Sequence, residues 1–598
     1  MIRPSLLAVA LCTAFAATPA LAQTAAPRAP AAEQNAATRA LHRFFEEQWE
    51  RWMREDPERA AYYGDFRYND RWTDVSLAAI ERRQAEDREA LKRLQAIDRG
   101  ALSETDRLHY DVMLWQLRNA VERQQFREYL RPISQRGGVQ NAEDIVELLP
   151  FNTAKDYEDW LKRMRALPTL IAQTTVLLQE GVKAGNTAPR VLMQRIPAQI
   201  RAQIVDDPAR SPFFKPFAKF PDAMPQAERD RLTAEARKVI AETVVPAYRE
   251  FLRFFEQEYL PNTRETIAAA DLPNGKAYYD FLARSFTTTE LTADQIHEIG
   301  LKEVARIRAE MEKIKAEVGF KGTLAQFFDH LRTDPKFFYK TPEELFVAYQ
   351  AMSKRIDPEL VKAFKTIPRL PYGVRPIPDN IAPDTTTAYY QGGSIDGTRP
   401  GYYYVNLYKP EARPKWEMLA LSLHEAVPGH HFQFARGMEL ESVPMFRRVG
   451  YFTAYSEGWA LYAERLGYDM GLYADPYDRM GQLAYDMWRA VRLVVDTGMH
   501  SKGWSRERAI KFFMENAPKT EQDVVNEIDR YIVWPGQALA YKIGQLKISE
   551  LRERASRELG SRFDLREFND EVLVTGSVPL QALEAHIDAW TARRKAAK

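Results

Sequence analysis

The chain has 598 residues, of which 45% are hydrophobic and 28% are charged, a composition typical of a soluble globular protein. Lys and Arg number 84 and Asp and Glu number 83, which leaves a formal net charge of +1. Nucleic-acid binding needs a strong positive field, so this balance predicts no nucleic-acid partner. The length predicts a large fold or two lobes.

The N-terminal residues follow the pattern of a cleavable export signal. Arg3 supplies a positive charge, residues 6–17 are apolar, and residues 20–22 read Ala-Leu-Ala. We therefore predict a signal peptide over residues 1–22, a periplasmic or secreted mature protein, and no stable membrane insertion after cleavage. The single cysteine, Cys12, lies in this segment, so the mature chain is expected to contain neither a disulfide nor a thiolate metal ligand.

The remaining chain is predicted to be mainly α. Residues 23–37 are rich in Ala and Pro and predict a flexible leader. Residues 38–595 are predicted to form the folded, largely helical domain, because good helix formers and apolar residues recur there at helical spacing. A candidate boundary between two helical lobes lies near 271–295, where Thr289 or Thr292 would cap the next helix.

Residues 365–409 have a different composition. This segment is rich in Pro, Gly, Thr and Tyr, which predicts loops and short strands, and residues 402–407 are its clearest strand. Helical spacing resumes afterwards, and the catalytic part is predicted over residues 365–595. The predicted fold is thus a large, two-lobed, mainly α fold with a small β element beside the motif described next.

The most distinctive motif reads HEAVPGHH from His424 onward and holds three of the nine histidines. Two histidines at positions i and i+4 of a helix can share a zinc ion, because their side chains lie one turn apart. The i+4 position is occupied by Pro428, which opens a helix, and Gly429 allows the chain to re-enter one. Either His430 or His431 can then supply the second ligand, and the smaller distortion favours His430.

A catalytic zinc site needs a third protein ligand and an open position for water. In YSEGWALYAERLG, Glu457 and Glu464 lie on one side of a predicted helix. We predict Glu457 as the third ligand, since the preceding segment is long enough for a loop and a returning helix, and Glu464 as a residue that orients a histidine. The rival candidates Glu439 and Glu441 lie in a short connecting segment and are interpreted as solvated charges.

Four further segments accompany this motif: GSIDGTRPGYYYVN, YSEGWALYAE, RLVVDTGMHSKGWS and PGQALAYKIG. Together with HExxPGHH, they resemble the bacterial domain of unknown function 885 family over nearly all of the mature chain. SEGWALYAE is also similar to the glutamate-ligand segment of gluzincin aminopeptidases, and the site resembles those of the thimet oligopeptidase and Taq carboxypeptidase families. The resemblance implies an exported metallopeptidase with one Zn²⁺ ion that hydrolyses short peptides as an oligopeptidase or carboxypeptidase.

The resemblance also implies roles for single residues. Glu425 would be the general base that takes a proton from activated water and passes it to the leaving amine. Residues 402–407, including Tyr403 and Asn406, would form an edge strand that binds an extended peptide substrate. Whichever of the two later histidines is not on the metal, expected to be His431, would contact substrate.

A polar stripe in DMWRAVRLVVDTGMH places Arg492, Asp496 and His500 on one helix face. By resemblance to Taq-type carboxypeptidases, Arg492 would receive a substrate carboxylate, and His500 would stabilise the oxyanion. A structural salt bridge with a helix-terminal histidine explains the same stripe. Tyr531 and Tyr541, on either side of a Pro-Gly break, are the alternative oxyanion donors, and motif position favours Tyr541.

Two other functions are compatible with these residues. A zinc-dependent amidase or esterase would keep the metal and act on non-peptide substrates. A non-catalytic helical binding protein would hold a structural metal, which calls for a fourth protein ligand, and His431 is the candidate. Glu425 beside the metal argues against a purely structural site, because such a site has no use for a base.

Overall fold

The structure is a computed structural model that describes residues 35–379, 382, 386–394, 397 and 399–597. The predicted signal peptide and most of the predicted leader lie outside the described residues. The first helix begins at Ala36, where the Asn35 side chain accepts a hydrogen bond from the Thr38 N–H. The helical part therefore starts slightly before residue 38, because an N-cap residue ends the leader.

The prediction of a mainly α fold is confirmed. Before the sheet, the α-helices are α1 Ala36–Glu55, α2 Pro57–Tyr63, α3 Leu77–Gln95, α4 Glu104–Arg123, α5 Ala154–Lys183, α6 Arg190–Met193, α7 Ile196–Ala202, α8 Gln226–Val239, α9 Val245–Phe254, α10 Gly275–Thr287, α11 Ala293–Glu317, α12 Leu324–Thr333 and α13 Pro342–Ile356. After the sheet they are α14 Met418–Glu425, α15 His430–Met438, α16 Met445–Arg448, α17 Thr453–Asp469, α18 Pro476–Ser501, α19 Arg506–Asn516, α20 Glu521–Val533, α21 Ala540–Leu559, α22 Leu565–Val574 and α23 Leu580–Ala596. None of the described helices is long and apolar enough to span a membrane.

A small sheet interrupts the helices, as predicted for residues 365–409. Its strands are β1 Tyr372–Pro376, β2 Ala388–Gln391 and β3 Gly401–Val405, in the order β1-β3-β2. β3 pairs in parallel with β1 and antiparallel with β2. The strand predicted at 402–407 thus exists in shifted form, but the prediction that it lies at the edge is wrong. β3, which contains three Tyr and one Val, is the most buried of the three strands and lies at the centre of the sheet, and β2 lies at an edge of the sheet instead.

The two largest hydrophobic clusters both draw on distant parts of the chain. One contains Leu161 and Val304, and the other contains Leu41 and Trp459. Each cluster therefore includes residues from both sides of 271–295, and neither core ends at the predicted lobe boundary. Within that segment, α11 begins where predicted, with Thr292 and the third residue of the helix forming a reciprocal capping box.

Glycines allow the central helices to pack closely. A Cβ at Gly300 of α11 would lie 2.8 Å from the Leu493 Cβ of α18. A Cβ at Gly544 of α21 would lie 1.8 Å from the Ala454 carbonyl oxygen of α17, and Gly458 faces Gly544. α17 and α21 are therefore in backbone contact. This contact fixes the position of Glu457, the predicted metal ligand, which directly precedes Gly458.

Asp496 ties α18 to neighbouring segments. The Tyr279 hydroxyl donates to its Oδ1 at 2.5 Å, and the Gly536 N–H donates at 3.1 Å. Burial raises the pKa of Asp496 to about 7, although both hydrogen bonds act in the opposite direction. The folded protein therefore holds this proton more tightly than the unfolded chain does.

We expect Asp496→Asn to remove part of the pH dependence of stability. Since the folded pKa is raised, the stability linked to this group is fully present below the unfolded value of 3.8 and is lost as the pH rises towards about 7. A shift of this size corresponds to at most about 4 kcal/mol. Asparagine resembles the protonated carboxyl, so the variant should match the wild type in acid and be the more stable protein at pH above about 7, measured as urea-unfolding midpoints.

Asp486 supplies a control of opposite sign. It is equally buried, but Lys542 and Arg306 hold its pKa below the usual range in spite of burial. Asp486→Asn should therefore lower the unfolding midpoint most at neutral and alkaline pH, where the wild-type carboxylate is charged. A midpoint difference between Asp496→Asn and wild type that does not change with pH would contradict the burial account of Asp496.

Candidate metal centre

The histidine motif spans a break between two helices. α14 ends one residue after His424, α15 begins at His430, and the peptide bond before Pro428 is cis. A Cβ at Gly429 would lie 1.9 Å from the His424 carbonyl oxygen, so only glycine fits there. The Trp459 indole donates to the Pro428 carbonyl at 2.8 Å and ties the break to α17.

This break brings His424, His430 and Glu457 together. Their candidate ligand atoms all lie within 4.8 Å of one another. Glu457 Oε2 is 3.7 Å from His424 Nε2 and 3.4 Å from His430 Nε2. Tetrahedral zinc with bonds of about 2.0–2.2 Å places its ligand atoms about 3.3–3.6 Å apart. Two imidazole nitrogens and one carboxylate oxygen at this spacing fit one zinc ion and leave a coordination position for water or substrate.

Further side chains orient these three residues. His424 Nδ1 donates to Glu464 Oε1 at 2.8 Å, so Glu464 lies where the sequence predicted it, behind a histidine. The Tyr451 hydroxyl donates to Glu457 Oε1 at 2.8 Å and leaves Oε2 facing the histidines. Such contacts fix the tautomer and the direction of metal-binding side chains.

The electrostatics of the cluster favour a bound cation. Burial opposes ionisation of Glu457, but His430 and His424 hold its pKa well below the usual range. Burial lowers the pKa of His424, but Glu457 and Glu464 outweigh it and raise the pKa to about 9. Buried carboxylates therefore attract positive charge to this point, and a metal that binds His424 must displace a proton.

The three candidate ligands line a cavity of about 500 Å³, which we call the metal cavity. Glu425 lines the same cavity at the end of α14. Strand β2 forms another part of its wall, together with Tyr451 and Tyr541. The sequence did not predict β2 or Tyr451, because their approach to the candidate ligands depends on tertiary packing.

Three arginines of α18 and α20 line the metal cavity and are called the arginine group: Arg489, Arg492 and Arg530. Arg492 Nη2 donates to Glu527 Oε2 at 2.9 Å, and Arg530 Nη2 donates to the Tyr541 hydroxyl at 2.9 Å. Arg489 Nη2 lies 3.6 Å from Glu464 Oε1. Of these residues the sequence predicted Arg492 and Tyr541. Arg489 could have been found too, since it precedes Arg492 by three residues and so shares its helix face.

His431 lies elsewhere. Its Nε2 donates to the Leu370 carbonyl at 3.0 Å, and its Nδ1 accepts a hydrogen bond from the Tyr390 hydroxyl at 3.1 Å. The side chain is buried, burial lowers its pKa to about 4, and it does not line the metal cavity. His431 therefore lies away from the metal cavity, where the sequence predicted a substrate contact for it and left a bond to the metal open as the alternative, because consecutive residues of a helix point in different directions.

His500 and Tyr531 lie behind the cavity wall, in contrast to their predicted roles as oxyanion donors. Both nitrogens of His500 are engaged, by the Ala269 N–H at 3.0 Å and the Tyr531 carbonyl at 2.9 Å. Burial lowers the pKa of His500 to about 4, so it is neutral at pH 7. The Tyr531 hydroxyl donates to Glu527 and accepts from Arg492 Nε. Two turns of helix separate His500 from Arg492, about 12 Å, which takes it away from the cavity.

Tyr403 and Asn406 are also not in the cavity. The Tyr403 ring is fully buried and packs edge-on against Tyr349 at 5.8 Å between ring centroids. The Asn406 side-chain amide donates to the Ala382 and Thr386 carbonyls at 2.8 and 3.1 Å. These residues support the central strand and the segment before β2, and they are not among the residues that line the metal cavity.

The rival carboxylate Glu439 is engaged elsewhere too. It is the C-cap residue of α15, and its carboxylate lies 3.3 Å from Arg436 of the same helix. It does not belong to the cluster of candidate ligands.

The two neighbouring histidines give a direct test of this geometry. We expect His430→Ala to weaken zinc binding by more than about 100-fold, the upper end of the loss caused by removing an outer-shell partner. His431→Ala should keep one zinc ion per chain, because its ring points away from the cluster. Metal content after dialysis, measured by mass spectrometry, distinguishes the two. Zinc loss in His431→Ala with retention in His430→Ala would contradict the assignment.

Gly429 provides a second test. Gly429→Ala forces a methyl group onto the His424 carbonyl oxygen, so the two histidines should move apart and zinc affinity should fall. Gly437→Ala in α15, the helix that Gly429 precedes, is the matched control, because its nearest neighbour would be the Arg448 carbonyl oxygen at 3.4 Å, an ordinary contact. Equal zinc affinity in the two variants, measured by titration with a competing chelator, would show that the close approach does not set the site.

Comparisons with known proteins agree with the motif. A family model described as bacterial protein of unknown function (DUF885) matches residues 57–587, and no curated protein matches the chain. A crystal structure of a "putative lipoprotein" from Colwellia psychrerythraea is 29% identical, with a TM-score of 0.88 over 93% of this chain and 99% of that chain. A "putative lipoprotein of unknown function" from Shewanella oneidensis is 18% identical, with a TM-score of 0.67 over 92% of this chain and 99% of that chain, and shares the fold. Because the family model spans most of its length, the chain belongs to the DUF885 family.

Proposed function

We propose that the protein is a zinc-dependent metallopeptidase that hydrolyses short peptides, as an oligopeptidase or a carboxypeptidase. The observation that carries this proposal is the arrangement of four side chains that line one cavity. His424, His430 and Glu457 have the spacing of zinc ligands, and Glu425 lines the same cavity beside them. Likeness to a bacterial protein described as a "putative lipoprotein" is compatible with an exported protein.

Zinc held by these residues would lower the pKa of a bound water and polarise the scissile carbonyl. Glu425 is the residue that handles the proton. It directly follows His424, is half-buried, and among the described residues no hydrogen bond or ion pair occupies its carboxylate. A carboxylate in that position can take a proton from the attacking water and deliver it to the leaving amine.

Tyr541 is the best placed donor for the oxyanion. It lines the metal cavity, and its hydroxyl accepts hydrogen bonds from Arg530 at 2.9 Å and Gln537 at 3.4 Å. With its lone pairs occupied in this way, the hydroxyl proton is free to point at a carbonyl oxygen that gains charge. The hydrogen bond from Arg530 also fixes the position of this donor before the substrate binds.

Two features of the cavity support a peptide as the substrate. β2 is an edge strand on the cavity wall, so its backbone can pair with an extended chain and bind it independently of side-chain identity. The arginine group suits the free carboxylate at the end of a short peptide, and it includes Arg492, the residue that the sequence predicted for this contact. A small neutral amide or ester would use neither feature.

The two alternative functions are less well supported. A structural zinc site is closed by four protein ligands, whereas His431 is held by Leu370 and Tyr390, away from the cluster. An amidase or esterase would need the same metal and the same base. Its distinguishing property is substrate choice, which the following experiment addresses.

We expect zinc-loaded protein to cleave a mixture of short peptides, and a chelator to abolish this activity reversibly. Glu425→Gln should keep zinc and lose about 10²- to 10⁴-fold in cleavage rate, because the proton transfer is lost and the ligands are not touched. Glu441→Gln, an exposed glutamate outside the cavity, is the matched control and should cleave like wild type.

Two results would contradict the proposal. One is full cleavage by Glu425→Gln with normal zinc content. The other is zinc-loaded wild type that hydrolyses no peptide; turnover confined to non-peptide amides or esters would then favour the amidase or esterase.

A further inference from the structure

A second cavity lies beside the metal cavity and is formed by helices at the start of the chain. It has a volume of about 810 Å³ and is lined by residues of α1, α2, α3 and α4, by residues of the segments that follow these helices, and by residues 446 and 449–451. We call it the N-terminal cavity. Tyr63, Val449 and Tyr451 line both cavities, so the two spaces adjoin along these three side chains.

Tyr451 lies at the junction. Its hydroxyl donates to Glu457 Oε1 at 2.8 Å, and its ring stacks on Phe434 with the ring centroids 6.2 Å apart. The residue is nevertheless 46% exposed, and it lines both cavities. A chain that extends from the metal cavity into the N-terminal cavity would therefore pass directly over the partner of a metal ligand.

The charges on the walls of the N-terminal cavity neutralise one another. Arg51 pairs with Asp87 at 2.6 Å, and Arg123 pairs with Glu128 at 2.8 Å. Arg59 likewise pairs with its helical neighbour Asp56 at 3.1 Å. The described walls of the metal cavity, in contrast, carry five arginines and three carboxylates, and Arg492 and Arg530 share one carboxylate, that of Glu527. A free carboxylate is thus attracted to the metal cavity, whereas the N-terminal cavity offers no net charge to select an ion.

The remaining walls suit the middle of a peptide chain. Trp49, Trp52 and Phe446 present aromatic surface, and Gln84 and Gln116 present amide groups that can both donate and accept. Each cavity alone has the size of a small-ligand pocket, about 300–1,000 Å³, and the two together exceed that range. A long, flexible, uncharged ligand with repeating amide groups fits this space better than a compact molecule.

We infer that the N-terminal cavity is an extended subsite that binds the part of the substrate peptide beyond the metal cavity. The identity of the occupant rests on the proposed peptidase function. The subsite prefers uncharged side chains, apolar or aromatic ones above all, and it makes the length of a peptide a determinant of its affinity. The helices at the start of the chain are then part of the substrate-binding machinery.

Peptide binding as a function of length tests this inference without requiring turnover. Uncharged peptides are lengthened at the N-terminus or at the C-terminus in two separate series, from about three to about ten residues. Each added residue extends the peptide by about 3.3–3.6 Å. Their Kd is measured by calorimetry on zinc-loaded Glu425→Gln protein. We expect lengthening at one of the two ends to lower Kd by at least about 10-fold, since each added contact with the second cavity contributes binding free energy.

Blocking the cavity should remove this gain. Gln84→Trp places a large ring in the N-terminal cavity, and Ala85→Trp places the same ring on the exposed side of the same helix as the matched control. Ala120→Trp, on the opposing helix α4, is a second blocking variant in case the first unfolds, which thermal melting detects. Both blocking variants should bind the shortest peptides like the parent and lose the length effect, and Ala85→Trp should keep it.

A Kd that does not depend on length in the parent, or a length effect that persists in both folded blocking variants, would overturn the inference. The proposed function fails by a different result, since it requires cleavage by wild type. Length-dependent binding without any cleavage would support the subsite and refute the peptidase.

Discussion

A helix break between α14 and α15 determines the candidate metal centre. On a continuous helix, His424 and His430 would differ by about 240° in direction and 9 Å in height, so they could not share an ion. The chain ends α14 just after His424 and restarts at His430, with Gly429 packed against the His424 carbonyl oxygen. The Trp459 indole holds this break against α17, and the same helix supplies Glu457. The histidine pair and the carboxylate are therefore positioned by one structural unit.

The charges around this unit are arranged in separate regions. Buried carboxylates surround the histidines and favour a cation there, and the arginine group forms a positive wall in the same cavity. The adjoining N-terminal cavity has its charges paired. A peptide has a neutral main chain and a charged terminus, and its main chain can pair with an edge strand such as β2. This match between the charge pattern and the parts of a peptide supports the proposed function and the extended subsite together.

The parts of the site that were predictable from the sequence are those that depend on local chemistry. Helical spacing and the opposite effects of proline and glycine on a helix were sufficient to place His430 and Glu457 beside His424. Helical periodicity likewise predicted a mainly α fold. The failures depend on distant contacts. One nitrogen of the buried His500 accepts a hydrogen bond from Ala269, far away in sequence, and β2 is an edge strand because β3 pairs on both sides. Spacing along one segment contains no information about such partners.

The crystal structure of the zinc-loaded protein, with anomalous scattering recorded at the zinc edge, tests the central claim most directly. We expect one anomalous peak at about 2.0–2.2 Å from His424 Nε2, His430 Nε2 and a Glu457 carboxylate oxygen, with a further coordination position open towards the metal cavity. A zinc peak bonded to His431, or no peak between His424 and His430 in crystals that contain bound zinc, would contradict it.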